Sequence, residues 1–345
     1  MVNFSRKIGV DLGTANVLVY EKNKGIVLNE PSVVAINTDT NKVLAVGKEA
    51  QRMLGRTPGN IIATRPMKEG VIADFGIAEK MLAHFINQIC GRPFFFKPEI
   101  MVCVPARVNE VEKRAVLEAA VQIGVRKTAL IEEPLAAAVG AGLMINEPYG
   151  NMVIDIGGGT TDIAVLSLGG MVVSRSLKVG GDKLDQAITR YIKTVHNLLI
   201  GERTAEKVKI SIGHVSPDED NLEEMSVRGR DLMTGLPKNV DINSMDVNRA
   251  IEEPITTIID AIKQVLEETP PELASDIIDR GLILSGGGAM LAGLDSLISK
   301  ETGVPVLLAD DPCSCVAIGT GRALENLDHL EEGLITFPGG KHQGI

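Results

Sequence analysis

Val153-Ile154-Asp155-Ile156-Gly157-Gly158-Gly159-Thr160-Thr161-Asp162 sets an aspartate at the end of a short apolar strand and follows it with a turn of small residues. A second β-rich stretch, Ile163-Ala164-Val165-Leu166, comes next. The chain opens on the same device: Ile8-Gly9-Val10-Asp11-Leu12-Gly13-Thr14-Ala15-Asn16, then Val17-Leu18-Val19-Tyr20. Glycines and small residues let backbone N–H groups converge on an anion with no Cβ in the way. An aspartate beside such a turn can hold Mg²⁺, usually through water. Two such hairpins facing each other would clamp a polyphosphate and its metal. The repeat therefore predicts a nucleotide in a cleft between two related lobes.

Two further pieces bear on that cleft. Gly286-Gly287-Gly288-Ala289 stands between the strand Gly281–Ser285 and a helix expected over 289–300. Its glycines permit close approach of a flat ring or a phosphate, and equally suit a plain tight turn. Glu133 lies at a helix start after a buried strand, with Pro134 in the first turn. A carboxylate there can cap the helix or orient a water for attack on a γ-phosphate. The chain has no G-x-x-x-x-G-K-[ST], so it is not a P-loop NTPase. Nor does a G-x-G-x-x-G open a helix after the first strand, which weakens a dinucleotide fold.

The 345 residues exceed what one core usually serves, so two lobes are expected. Apolar residues at 44% and charged residues at 23% fit a soluble globular protein. Trp is absent and the net charge is −10, with no Lys/Arg-rich block, which argues against nucleic acid as partner. Cys90, Cys103, Cys313 and Cys315 lack the spacing of a zinc site and read as free thiols of a reducing cytosol. The N-terminus is not a secretory signal, and the apolar stretch Leu135 to Ile145 is too short to span a bilayer.

Strands alternate with helical patterns, the mark of α/β architecture. Helices are expected over 76–90, 111–123, 181–200, 202–212 and 247–269, the last stopped by Pro270-Pro271. A short hairpin is expected over 227–240 with turns at Gly229 and at Gly235-Leu236-Pro237. Lobe I is placed at 1–146 plus 318–335, with a small inserted subdomain over about 32–77. Lobe II is placed at 147–317, with an insert over about 183–250, and 336–345 is expected to be a flexible tail.

Taken together, Asp11-Leu12-Gly13-Thr14, Asp155-Ile156-Gly157-Gly158-Gly159-Thr160 and Leu284-Ser285-Gly286-Gly287-Gly288-Ala289 resemble the two phosphate motifs and the adenosine motif of the actin, heat-shock chaperone and sugar kinase superfamily. Asn29-Glu30-Pro31-Ser32-Val33-Val34-Ala35, Leu54 to Asn60, Arg65 to Phe75 and Gly201-Glu202-Arg203-Thr204-Ala205-Glu206 narrow the likeness to the MreB family of bacterial actins. It runs from about residue 6 to about 330. The resemblance implies a two-lobed actin-like α/β fold, each lobe a mixed sheet flanked by helices. It implies ATP and Mg²⁺ as cofactors and ATP hydrolysis coupled to filament assembly. By the same resemblance Gly13, Thr14, Ala15 and Asn16 would wrap the β- and γ-phosphates, with Gly157, Gly158 and Gly159 opposite. Asp11 and Asp155 would hold Mg²⁺ through water, and Glu133 and Thr160 would position the attacking water. Glu206 and Lys209 would meet ribose and base, and Gly286, Gly287, Gly288 and Ala289 would lie under the adenine. Asp162 stands where many relatives are expected to carry glutamate.

Within that superfamily a chaperone needs a β-rich substrate domain after the ATPase lobes, and this chain ends about twenty residues past its last expected helix. A sugar kinase needs an acceptor pocket with its own aspartate base, and no distinct candidate stands out. The filament reading needs only ATP and a second copy, so a homopolymer is expected; the resemblance implies that two strands (protofilaments) pair side by side and antiparallel. Three of the seven Phe stand together as Phe94-Phe95-Phe96, bracketed by Arg92-Pro93 and Lys97-Pro98. A loop packed on the core is the plain alternative, but three consecutive side chains in a loop cannot easily all point inward, and the flanking cations suit anionic headgroups, so direct membrane binding is expected. The expected location is peripheral, at the inner face of the cell membrane, and the resemblance implies membrane-bound shape and cell-wall synthesis proteins as partners.

Overall fold

The computed structural model describes residues 5–91, 97–106, 108–325 and 335–338. Phe94, Phe95 and Phe96 lie outside the described residues, as do 339–345 of the expected tail.

Two sheets organise the chain, and each begins with the hairpin read from sequence. In lobe I, strand Lys7–Leu12 pairs antiparallel with Asn16–Glu21, which pairs antiparallel with Gly25–Pro31. On its other side Lys7–Leu12 runs parallel to Glu99–Val104, which runs parallel to Lys127–Glu132. In lobe II, Asn151–Ile156, Thr161–Ser167 and Gly170–Leu177 form the same antiparallel meander. Leu282–Ser285 and Val306–Leu308 extend that sheet in parallel from Asn151–Ile156. Both sheets are buried on two faces, which is why Glu99–Val104 and Asn151–Ile156 read as unbroken buried runs rather than alternating ones.

Each lobe has its own core. Ile8, Val10, Val17, Met81, Phe85 and Ile100 belong to lobe I, and Ile154, Leu184, Ile188, Ile258, Ile262 and Leu284 to lobe II. A third cluster joins the lobes: Met101, Ile131, Leu135, Val153, Leu166 and Val316. Its centre is the crossing of helices Glu133–Gly140 and Cys315–Glu325, which approach at glycines. A Cβ on Gly319 would strike the carbonyl of Ala136, and one on Gly140 the carbonyl of Cys315.

Several elements differ from the sequence expectation. The helix from Gly181 ends at His196, because Asn197 adopts a left-handed conformation (φ 52°) and Leu198–Leu199 becomes a strand. Gly229 makes no turn. It is paired with Lys238 inside strand Glu224–Asp231, and its missing Cβ makes room for the carbonyl of Leu199. The turn is at Gly235 alone, with φ 74°. The expected helix from Ala289 is a 3-10 turn, Gly287–Met290, followed by helix Leu294–Thr302. Ile335–Pro338 is an antiparallel edge strand on Lys127–Glu132, where a free tail from 336 was expected. Among the described residues no helix is long and apolar enough to cross a membrane.

Candidate functional site

The C-terminal ends of the parallel strands of both sheets converge on the space between the lobes, the place where open α/β sheets gather polar groups. Asp11 ends one, Glu132-Glu133 another, Asp155 a third and Ser285 a fourth.

The two phosphate-type turns face each other at van der Waals range. A Cβ on Gly158 would lie 2.6 Å from the Ala15 Cβ, and one on Gly159 would run into the Thr14 hydroxyl. Glycine at these two positions is therefore what lets the turns approach. Ser32 secures the first turn: its Oγ donates to the Gly13 carbonyl at 2.6 Å and its backbone N–H to that of Ala15 at 2.9 Å. The second turn is closed by Gly157 N–H donating to the Thr160 carbonyl at 2.9 Å. It is backed by the start of helix Gly181–His196, where Gly181 and Asp182 donate backbone N–H to the carbonyls of Gly157 and Gly158.

Four carboxyl groups share the floor of the cleft. Asp155 is 4% exposed and accepts a 2.6 Å hydrogen bond from the Ser285 hydroxyl. Burial, and then the charges of Asp11 and Asp162, lift it to about 7 against the pull of that bond. Burial likewise lifts Asp11 to about 6, opposed by the Cys103 thiol that donates to its Oδ1. Glu133 is held well above the ordinary carboxylate range by burial and then by the charges of Asp162, Asp11 and Asp155. Asp162 is fully buried, with Oδ1 accepting from the Ala106 N–H at 2.9 Å. The N-cap of helix Glu133–Gly140 is Glu132, whose side chain makes no capping hydrogen bond.

Acids raised by burial and by one another are a site that a cation would relieve. The donor set suits Mg²⁺, which takes one or two carboxylates and completes its octahedron with water and phosphate oxygens. Among the described residues no three acidic, His or Cys side chains cluster tightly enough to ligate a metal by themselves.

The outer cleft, about 720 Å³, is lined by Arg65 and Glu69 from lobe I and by Gly159, Asp182, Asp185 and Glu206 from lobe II. Glu206 thus faces the cleft. Lys209, one turn on, is engaged within lobe II: its Nζ is 2.9 Å from Asp185 Oδ1 and donates to the Gly181 carbonyl at 3.0 Å. Gly286, with φ 84°, packs on the backbone of Ile156, while Gly287 has open space where a side chain would stand. Gly286 to Ala289 is therefore seated on the end of the Asp155 strand with one residue facing outward.

The structure thus brings Asp11, Thr14, Ala15, Glu133, Asp155, Gly158, Gly159 and Thr160 together, and sets Glu206 and Gly286 to Ala289 on the lobe II wall. Sequence reading assigned no role to Ser32, Cys103, Asp185 or Ser285. Ser32 and Ser285 each stand in a motif quoted above and were detectable; Cys103 and Asp185 gain their position only by folding.

A model of the MreB/Mbl protein family matches residues 5–332. The cell shape-determining protein Mbl of Bacillus subtilis is 57% identical over 327 residues, covering 95% of this chain and 98% of its own. The cell shape-determining protein MreB of Escherichia coli is 53% identical over 330 residues, covering 94% of this chain and 95% of its own. The crystal structure of MreB 5 of Spiroplasma citri bound to AMPPNP superposes with a TM-score of 0.89 at 38% identity, over 94% of this chain and 97% of that one. The fold is therefore the actin-like fold that the family resemblance implied. With the family pattern matched along nearly its whole length and relatives above half identity, this chain belongs to the MreB/Mbl family.

Proposed function

We propose that this protein binds and hydrolyses ATP, polymerises into membrane-associated filaments, and organises cell shape and cell-wall synthesis. The observation that carries the nucleotide reading is the contact of the two glycine turns over a floor of mutually repelling, buried carboxyls. That the related Spiroplasma protein was crystallised with AMPPNP supports it.

The backbone of Gly13 to Asn16 and of Gly157 to Gly159 cradles the phosphates. Asp11 and Asp155 would hold Mg²⁺, which when bound would supply positive charge against the phosphates. Glu133 and Thr160 orient the attacking water. Glu206 takes the ribose, Lys209 braces that wall through Asp185, and Gly286 to Ala289 receives the adenine. Assembly is head-to-tail, since one heterologous interface repeated gives an open filament, and two such strands pair side by side.

Phosphate release and sedimentation, measured together with Mg²⁺-ATP, test the reading. Release and pelleting that both require nucleotide support it. A protein that stays monomeric at high concentration with Mg²⁺-ATP and lipid present overturns the filament assignment, and one that releases no phosphate overturns the ATPase. A heat-shock-type chaperone or a small-molecule kinase of the same superfamily would turn over ATP without pelleting.

A further inference from the structure

The turn Lys68-Glu69-Gly70 belongs to none of the roles assigned above. Strands Met67–Lys68 and Val71–Ile72 pair Met67 with Ile72 and Lys68 with Val71, which leaves Glu69 and Gly70 as a two-residue loop. Both have positive φ, 49° and 77°. Such loops favour Asn-Gly or Asp-Gly. Glutamate at positive φ is a poor choice for the turn itself, and a backbone outlier of this kind points to a role outside its own element.

The tip of the loop lies between the two phosphate turns. Gly70 N–H donates to the Thr14 hydroxyl at 3.0 Å. A Cβ on Gly70 would lie 2.7 Å from Thr160 Cγ2, and one on Gly159 would lie 3.0 Å from Glu69 Cα. The Glu69 carboxylate then reaches across to lobe II, 3.4 Å from Lys183 Nζ and 3.8 Å from Lys178 Nζ. Lys183 stands in the first turn of helix Gly181–His196, the end where the helix dipole disfavours a cation. Its own element does not account for its charge either. That helix start is the one hydrogen-bonded to the carbonyls of Gly157 and Gly158.

We propose that Lys68-Glu69-Gly70 is a strap across the cleft, in which Glu69 is a positioning residue. Through Lys183 and Lys178 it holds lobe II, and with it Thr160, in register with Thr14. The strap rests on the nucleotide reading of the cleft and goes beyond it: the cleft closes through an ion pair between the two lobes. Releasing the pair lets nucleotide leave faster and lowers kcat, while the groups that contact phosphate stay in place.

Glu69→Asn gives the loop a better turn former and removes the ion pair, so it separates the two roles. Stopped-flow release of a fluorescent ATP analogue from full-length protein should be faster by about two- to five-fold, the range an exposed ion pair supports. Glu69→Lys should be worse, and pairing it with Lys183→Glu should bring the rate back toward wild type. A wild-type release rate in Glu69→Asn, or two charge reversals whose effects simply add, would overturn the strap. Should the wild-type protein not bind the analogue, the nucleotide reading fails, and hydrogen exchange over residues 65–72 of the ligand-free protein decides the strap on its own. Faster exchange in Glu69→Lys with recovery in the swap supports it; equal exchange in all three overturns it.

Discussion

The roles proposed for Asp155 and Glu133 differ at the residue scale, and their surroundings say why. Asp155 sits on a strand end, tied to Ser285, where it can hold a metal; Glu133 starts a helix and faces the same space from the other lobe. Positioning and charge neutralisation dominate phosphoryl transfer. Asp155→Ala should therefore lose Mg²⁺-nucleotide affinity in a titration. Glu133→Ala should bind ATP and release phosphate about 10²- to 10⁴-fold more slowly, the usual weight of general acid–base help. Wild-type phosphate release in Glu133→Ala would reduce that residue to a helix-start carboxylate. The raised carboxyls also predict a pH response of known sign. Asp155 titrates at about 7 and Asp11 at about 6 when folded, against an ordinary 3.8. Between those limits the native state holds more protons than the unfolded chain, so raising pH through this window destabilises the metal-free protein. Its Tm should fall as pH rises from about 5 to about 8, by less in Asp155→Asn, and Mg²⁺-ATP should flatten the trend. A Tm independent of both the substitution and the ligand would show that these carboxyls do not titrate there.

Individual elements carry two separable tests. Helices Glu133–Gly140 and Cys315–Glu325 can cross only because glycine stands at each contact. Gly319→Val forces a side chain into the Ala136 carbonyl and should cost about 1–3 kcal/mol in urea unfolding, as overpacking does. Gly287→Ala, with open space around it, should leave the urea midpoint unchanged. At the far end of lobe II, the loop between Glu224–Asp231 and Pro237–Asn243 exposes Leu232, Met233 and Leu236, with Met233 82% exposed. Apolar side chains gathered at a tip suit burial against a neighbour rather than solvent. Met233→Asp should keep the monomer's Tm and lose pelleting with Mg²⁺-ATP. Pelleting at the wild-type level would remove this tip from the subunit contact.

For the whole molecule, the two lobes share a cluster of buried residues, and nucleotide held between them would tie lobe closure to the geometry of both ends. Closure and assembly should then rise together, which light scattering with ATP against ADP would follow. The proposed membrane attachment through Phe94, Phe95 and Phe96 belongs to this scale as well. A buried Phe contributes roughly 1.5–3 kcal/mol, so one loop gives weak binding and a filament carrying many gives strong binding by avidity. Liposome flotation of wild type against the Phe94/Phe95/Phe96→Ser triple variant checks it: the variant should remain folded and polymerise but stay at the bottom of the gradient. Equal flotation of the two would sink the loop assignment.

Local pattern determined a good part of this protein. The repeated strand–aspartate–glycine turn gave two related lobes and a cleft because strand alternation and glycine's missing Cβ are properties of neighbouring residues. Helix spacing placed Phe75–Cys90 and Glu202–Ile212 within a residue, since an apolar face at period 3.6 needs no distant partner. Tertiary structure decided what depends on groups far apart in sequence. Gly229 reads as a turn until strand Leu198–Leu199 comes to lie against it. Asn197 ends a helix that composition alone would carry further. Lys209 faces Asp185, and Glu69 faces Lys183, only once helix and hairpin are docked. The shared elevation of Asp11, Asp155 and Glu133 is likewise a property of the packed floor, because burial and mutual repulsion exist only when three strand ends from two lobes share one space excluded from water.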